Sequence, residues 1–128
     1  MKIAATIARY LLGAVFLIFG SNMFLHFLPT PPLPPGPMQQ FTDAMATSHY
    51  AYGVAFFQVV PAILLLVNRY VPLALALLAP VIVNICLFHI TMAPSGLPLA
   101  ALVVILWFVA VYPVRSAFAG LLQQRVQE

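Results

Sequence analysis

The sequence predicts an all-α fold: a polytopic membrane four-helix bundle, N-in and C-in, with residues 1–128 forming a single transmembrane domain. Three observations predict it. Hydrophobic residues make up 64% of the chain and charged residues 5%, against about 25% charged in a typical soluble domain. A soluble fold of this size would lack polar residues to cover its surface. Four apolar stretches approach the ~20 helical residues needed to cross a ~30 Å hydrocarbon core. Finally, every Lys and Arg lies before the first stretch or in its first turns, between the second and third, or after the fourth.

The first helix is expected over residues 4–28. Lys2, Arg9 and the apolar run after them imitate a secretory signal. No small-x-small cleavage site follows, however, and Asn22 to Phe27 reads as helix continuing to the bilayer surface. The segment is therefore read as a membrane crossing. Residues 29–49 form an outer loop. It opens with Pro29-Thr-Pro-Pro-Leu-Pro-Pro-Gly-Pro37, six prolines in nine residues, which favours a stiff, extended polyproline conformation. Met38 to Thr47 follows as a short amphipathic helix suited to the membrane surface. Phe41, Ala44 and Met45 share one face, and Gln39, Asp43 and Thr47 lie elsewhere.

The second helix is expected over residues 50–67 and ends at the turn Asn68-Arg69-Tyr70. The third covers residues 71–91, with Pro72 in its first turn, where a missing N–H costs little. Ala93-Pro-Ser-Gly-Leu-Pro98 separates it from the fourth helix, residues 97–118. That helix reaches crossing length only by continuing through Pro113. Pro61 and Pro80 lie inside helices, and each should kink its helix and free a carbonyl.

Orientation follows from charge. Cytoplasmic loops carry the Lys and Arg excess, which places Lys2, Arg9, Arg69, Arg115 and Arg125 inside. Tyr10, Tyr70 and Tyr112 then mark the inner interface, and Tyr50 and Tyr52 the outer one. The expected location is a bacterial cytoplasmic (inner) membrane with both termini cytoplasmic. The net charge of +3 is scattered, with no basic run for nucleic acid. Cys86, the only cysteine, excludes an intrachain disulfide and any two-cysteine motif.

Polar residues inside the crossings mark the candidate site. At ~1.5 Å per residue, Asn22, Gln58 and Asn84 fall at a similar depth, roughly 10 Å below the outer surface. His26, His49 and His89 all fall at outer helix ends. His26 shares a face with Asn22, and Cys86 with His89. Asn84 and His89 share one only if the helix bends at Pro80. Three readings stay open. In the first, the amides simply bridge helices. Alternatively, Asn22, His26, Gln58, Asn84 and His89 line a small-molecule pocket, with Phe24, Phe57 and Phe88 as apolar walls and the proline loop as a lid. As a third reading, His26, His89 and Cys86 hold a metal or haem.

Several blocks resemble the DoxX-like membrane proteins. They are Arg9-Tyr-Leu-Leu-Gly13, Phe19-Gly-Ser-Asn-Met-Phe-Leu-His-Phe27 with Pro-Pro-Leu-Pro-Pro after it, Leu64-Leu-Leu-Val-Asn-Arg-Tyr-Val-Pro-Leu73, and Ala79-Pro-Val-Ile-Val-Asn-Ile-Cys-Leu-Phe-His89 with Pro94-Ser-Gly-Leu-Pro98. The resemblance covers nearly the whole chain. It implies four helices and small membrane subunits linked with quinone and sulfur-compound oxidation. Where that pattern often has Glu, this chain has Gln58, which keeps a hydrogen-bonding group and removes a proton-handling one.

The expected function is a binding or accessory subunit that takes a quinone-like or other amphipathic molecule. Its expected partners are the lipid bilayer, a further copy of itself or a membrane redox protein. No carboxylate is placed in a crossing to orient a histidine base. An oxidoreductase-associated subunit is therefore expected rather than a stand-alone enzyme. The alternatives are a structural membrane protein and a metal- or haem-binding one.

Overall fold

The computed structural model describes residues 2–126. Every regular element among them is a helix. The α-helices are α1 (Lys2–Leu25), α2 (Pro37–Thr47), α3 (Tyr50–Leu66), α4 (Val71–Thr91) and α5 (Leu97–Val111). A 3₁₀ turn, Pro94–Gly96, leads into α5, and a 3₁₀ run, Tyr112–Leu122, follows it. Three segments are long and apolar enough to cross a membrane: α1, α4, and α5 with its 3₁₀ flanks. At 17 residues, α3 is shorter. It forms a bent pair with α2, the two axes differing by 85°.

Packing order follows from which helices touch. α1 lies against α3 and α5, and α4 lies against the other sides of the same two helices. α1 and α4 are diagonal, their backbones held apart by the core between them. α1 and α3 run antiparallel: Phe24 stacks on Tyr52 at one end, with ring centroids 5.4 Å apart, and Arg9 reaches Leu65 at the other. Glycine makes this contact close. A Cβ at Gly13 would come within 2.9 Å of Leu66 Cγ and 3.2 Å of the Ala62 carbonyl, and one at Gly20 within 2.9 Å of Val59 Cγ2. Small residues of this kind let helix backbones approach where no hydrophobic effect drives association.

The core is a cluster of Ala8, Leu12, Phe16, Ala62, Leu65, Leu75, Leu78, Val103 and Leu106 with their neighbours. α3 and α4 run unbroken through Pro61 and Pro80. Pro80 removes the intrahelical donor to Ala76. Trp107 Nε1 donates to the carbonyl one position earlier, that of Leu75, at 2.9 Å.

Two helices end earlier than their hydropathy predicts. α1 stops at Leu25, not near residue 28, because His26 takes a left-handed conformation with φ 52°. Its N–H donates to the Asn22 carbonyl at 2.8 Å, an αL cap in a position usually held by Gly. The last helix leaves α-helical geometry at Val111, not near residue 118, and continues as 3₁₀. Pro113 cannot donate into an α-helical ladder.

Candidate functional site

The three histidines lie at one end of the bundle and Arg9, Arg69 and Arg115 at the other, so the two are named here the histidine end and the arginine end. The amides lie at different distances from their own helix ends, although Gly20, two residues from Asn22, packs against Gln58. From the helix ends, Asn22 lies about 4–5 Å deep, Asn84 about 10 Å and Gln58 about 12 Å at the helical rise per residue. Asn22 is shallower than its spacing implies because α1 ends at Leu25.

Four of the five candidate residues bond to their own backbone or lie outside the bundle. Asn22 Oδ1 accepts the Leu28 N–H at 2.8 Å and so closes the α1 terminus. His26 is exposed beyond that terminus. Asn84 is exposed on α4, and its Nδ2 donates to the Pro80 carbonyl at 3.1 Å. The His89 ring is half-buried over the α4–α5 turn, with Nδ1 3.1 Å from the Ala93 carbonyl. A Cβ on Gly96 would overlap that ring, which is why glycine suits the turn.

Gln58 differs. It is 4% exposed and is the one buried polar residue among the described residues. Its carboxamide makes no hydrogen bond to another described residue. No side-chain nitrogen or oxygen wholly shut off from solvent lacks a partner, so the amide is not sealed in. Its Cβ lies 3.0 Å from where a Cβ on Gly20 would stand. Gly20, Ala55, Ala93 and Ala100 are the small buried residues toward this end, and Phe16, Ile82 and Val103 are buried near the level of Gln58. The large core leucines lie further toward the arginine end.

Aromatic rings cover the histidine end. Tyr52 stacks between Phe24 and His49, at 5.4 and 5.6 Å. Phe41 of α2 meets Phe88 at 5.4 Å, and Phe88 meets the His89 ring edge-on at 5.1 Å. α2 thus reaches from the α3 entrance across to α4, with Met38 and Met45 half-buried and Gln40, Asp43 and Thr47 exposed. Phe57, expected as a pocket wall, is 48% exposed and faces outward.

No group of three or more His, Cys, Asp or Glu side chains among the described residues is placed to hold a metal. Cys86 instead lines an open apolar groove of about 390 Å³ between α4 and α5, beside Ile82, Val83, Leu87, Val104 and Trp107.

Hydropathy reading missed two side chains that matter. Arg9 Nη1 donates to the Leu65 carbonyl in the last turn of α3, and its guanidinium lies 4.4 Å from the Tyr10 ring centroid. Trp107 supports α4 beside Pro80. A lone Trp inside an apolar helix carries an N–H that needs a partner, so its role was open to inference. Its acceptor was not.

A family model described as DoxX matches residues 4–91, from the start of α1 to the end of α4. No curated protein and no solved structure matches the chain.

Proposed function

The chain belongs to the DoxX family, and from that premise we propose a four-crossing integral membrane protein that binds the polar head of a small, quinone-like molecule at Gln58. It would act as an accessory subunit of membrane redox chemistry, in a bacterial cytoplasmic membrane with both termini inside. The fourth crossing is α3. Its 17 residues match the short limit of a span, and it lies antiparallel between α1 and α4. α2, turned by 85°, then runs along the surface. The Lys and Arg residues gather at one end of this arrangement, as the cytoplasmic side of a membrane protein requires.

One observation carries the binding reading: on a residue only 4% exposed, a carboxamide that still reaches the surface and has no partner among the described residues. Such a group is costly in a bilayer and is usually satisfied. An amide suits a quinone in both oxidation states. Its N–H donates to a quinone carbonyl, and its oxygen accepts from a hydroquinone O–H. Neither step moves a proton, so any proton transfer falls to another group or subunit. Gly20 against Gln58 and the aromatic rings nearer that end are consistent with a flat ring entering there.

A second reading has its own support. Asn22, Asn84 and His89 all bond to backbone, as in a protein whose polar groups only build the bundle. Titration of vesicle-reconstituted protein with a short-tailed benzoquinone separates the two. On the binding reading Gln58→Leu weakens binding at least tenfold, while Asn22→Leu and Asn84→Leu leave it within twofold. Equal binding by Gln58→Leu and the parent, with higher thermal stability in the variant, would decide for the structural reading.

A further inference from the structure

We infer that α4 is a self-association surface, on which Asn84 of one copy bonds Asn84 of a second copy within the membrane. This rests on α4 crossing the bilayer, which its 21 apolar residues support, and not on Gln58 binding anything. Asn84 sits seven residues from the end of α4, about 10 Å deep at the helical rise. It is exposed, on the face turned away from the bundle. The residues sharing its stripe at helical spacing, Leu73, Pro80, Leu87 and Thr91, are exposed too. An amide pointing into lipid contradicts the rule that polar groups in crossings face protein or water.

Its internal bond does not remove the difficulty. Nδ2 gives one hydrogen to the Pro80 carbonyl at 3.1 Å. That leaves a second N–H and the whole Oδ1, which accepts from no described residue. A carboxamide is self-complementary, because it offers a donor and an acceptor together.

Symmetry selects the occupant. Two copies of one membrane protein with the same orientation are related by an axis along the membrane normal. Equal depths then meet, and an isologous contact places a residue near the axis against itself. Asn84 is on the outward stripe at one depth, so a two-fold through α4 pairs its free donor with its partner's free acceptor in both directions. The flanking surface fits the same contact. Val83 and Leu87 edge the apolar groove between α4 and α5, which can receive the facing helix's side chains. A foreign partner would need its own polar group at the same depth; a second copy has one already.

The test uses the full chain in lipid vesicles, with energy transfer between donor- and acceptor-labelled copies as a function of protein-to-lipid ratio. Asn84→Leu is expected to raise the dissociation constant on the order of tenfold, the effect of losing an intramembrane amide bond, and Asn84→Gln to restore most of the association. Position 84 is exposed, so leucine there leaves the helical circular dichroism unchanged. Cross-linking supplies an independent measurement in native membranes. In a Cys86→Ala background, Leu87→Cys should give a species of twice the chain mass with a short bis-maleimide, and Ile105→Cys on α5 should not. Equal energy transfer in Asn84→Leu and the parent overturns the inference. So does a Leu87→Cys product with the mass of a different protein.

Discussion

The two ends of this bundle are built on different principles. At the arginine end, long cationic side chains close the structure over a tightly filled interior. Arg9 bonds the Leu65 carbonyl and lies over Tyr10. Arg115 bonds the Tyr112 carbonyl and lies over the Tyr112 ring at 4.1 Å. Beneath them Leu12, Leu65 and Leu75 are fully buried. Cations beside the last carbonyls of a helix offset its dipole. At the histidine end the described residues include no Lys or Arg. Left-handed residues flank helices at both ends, His26 and His49 here and Asn68 and Tyr70 at the other, but here stacked rings lie over Gln58, whose amide bonds no described residue. One end is closed by cationic side chains over large core residues, and the other holds Gln58, where the proposed guest would bind.

The widest test of this contrast is sidedness. If charge asymmetry orients the protein, the two ends meet different compartments. In a Cys86→Ala background, cysteine at Gln40 should react with an impermeant maleimide on intact cells, and cysteine at Ser116 should react only after lysis. The reverse pattern would put the arginines outside and remove the charge argument for orientation.

The next largest effect belongs to the α4–α5 turn. Gly96 has φ −90°, so its need for glycine is steric and comes from the His89 ring. Gly96→Ala is expected to cost about 1–3 kcal/mol, as overpacking does. His89→Ala alone should cost about 1 kcal/mol for its bond to Ala93. The double variant should recover most of the glycine penalty, since the three atoms nearest the new methyl group all belong to the His89 ring. Thermal unfolding in mild detergent measures all three. An unchanged penalty in the His89→Ala background would mean that the ring is not what excludes a side chain there.

The contrast between the ends was partly legible in the sequence. Hydropathy located each helix because lipid-facing and core-facing residues are both apolar in a crossing, so the signal is strong and runs all round. The same property hid which face of each helix points inward. Asn84 and Gln58 sit in similar apolar runs, yet one is exposed and the other buried. Counting residues from hydrophobic boundaries put three amides at one depth, using an α1 end near residue 28 where the helix stops at Leu25. Asn22 is itself part of the cap, and a capping Asn and an intramembrane Asn look alike in one dimension. The histidines were expected at outer helix ends, with His26 and His89 as ligand candidates, and nothing in their spacing spoke to their backbone. His26 and His49 occupy left-handed backbone positions, with φ 52° and 64°, which no apolar periodicity records.

The smallest effect tests the arginine end itself. Arg9 is half-buried and bonds across helices to a carbonyl 56 residues away in sequence, while its guanidinium is also placed to meet water and headgroups. Its net contribution is therefore below the full ~1.5–3 kcal/mol of a charged hydrogen bond. Arg9→Met keeps the apolar stem, removes the donor, and is expected to cost about 1 kcal/mol in the same unfolding assay. Some of the Leu65 carbonyl's needs stay met, since Asn68 N–H also approaches it at 3.4 Å. The informative comparison is with Asn22→Ala, which removes a bond of similar length scale at the other end without touching a second helix. If Arg9 ties α1 to α3, its loss should weaken the whole bundle and lower the unfolding midpoint. Asn22→Ala should loosen only the α1 terminus, speeding amide exchange at Leu28 with little change in midpoint. Equal midpoint shifts would show that both ends are fastened in the same way, and the division between a packed end and an open one would then rest on the interior residues alone.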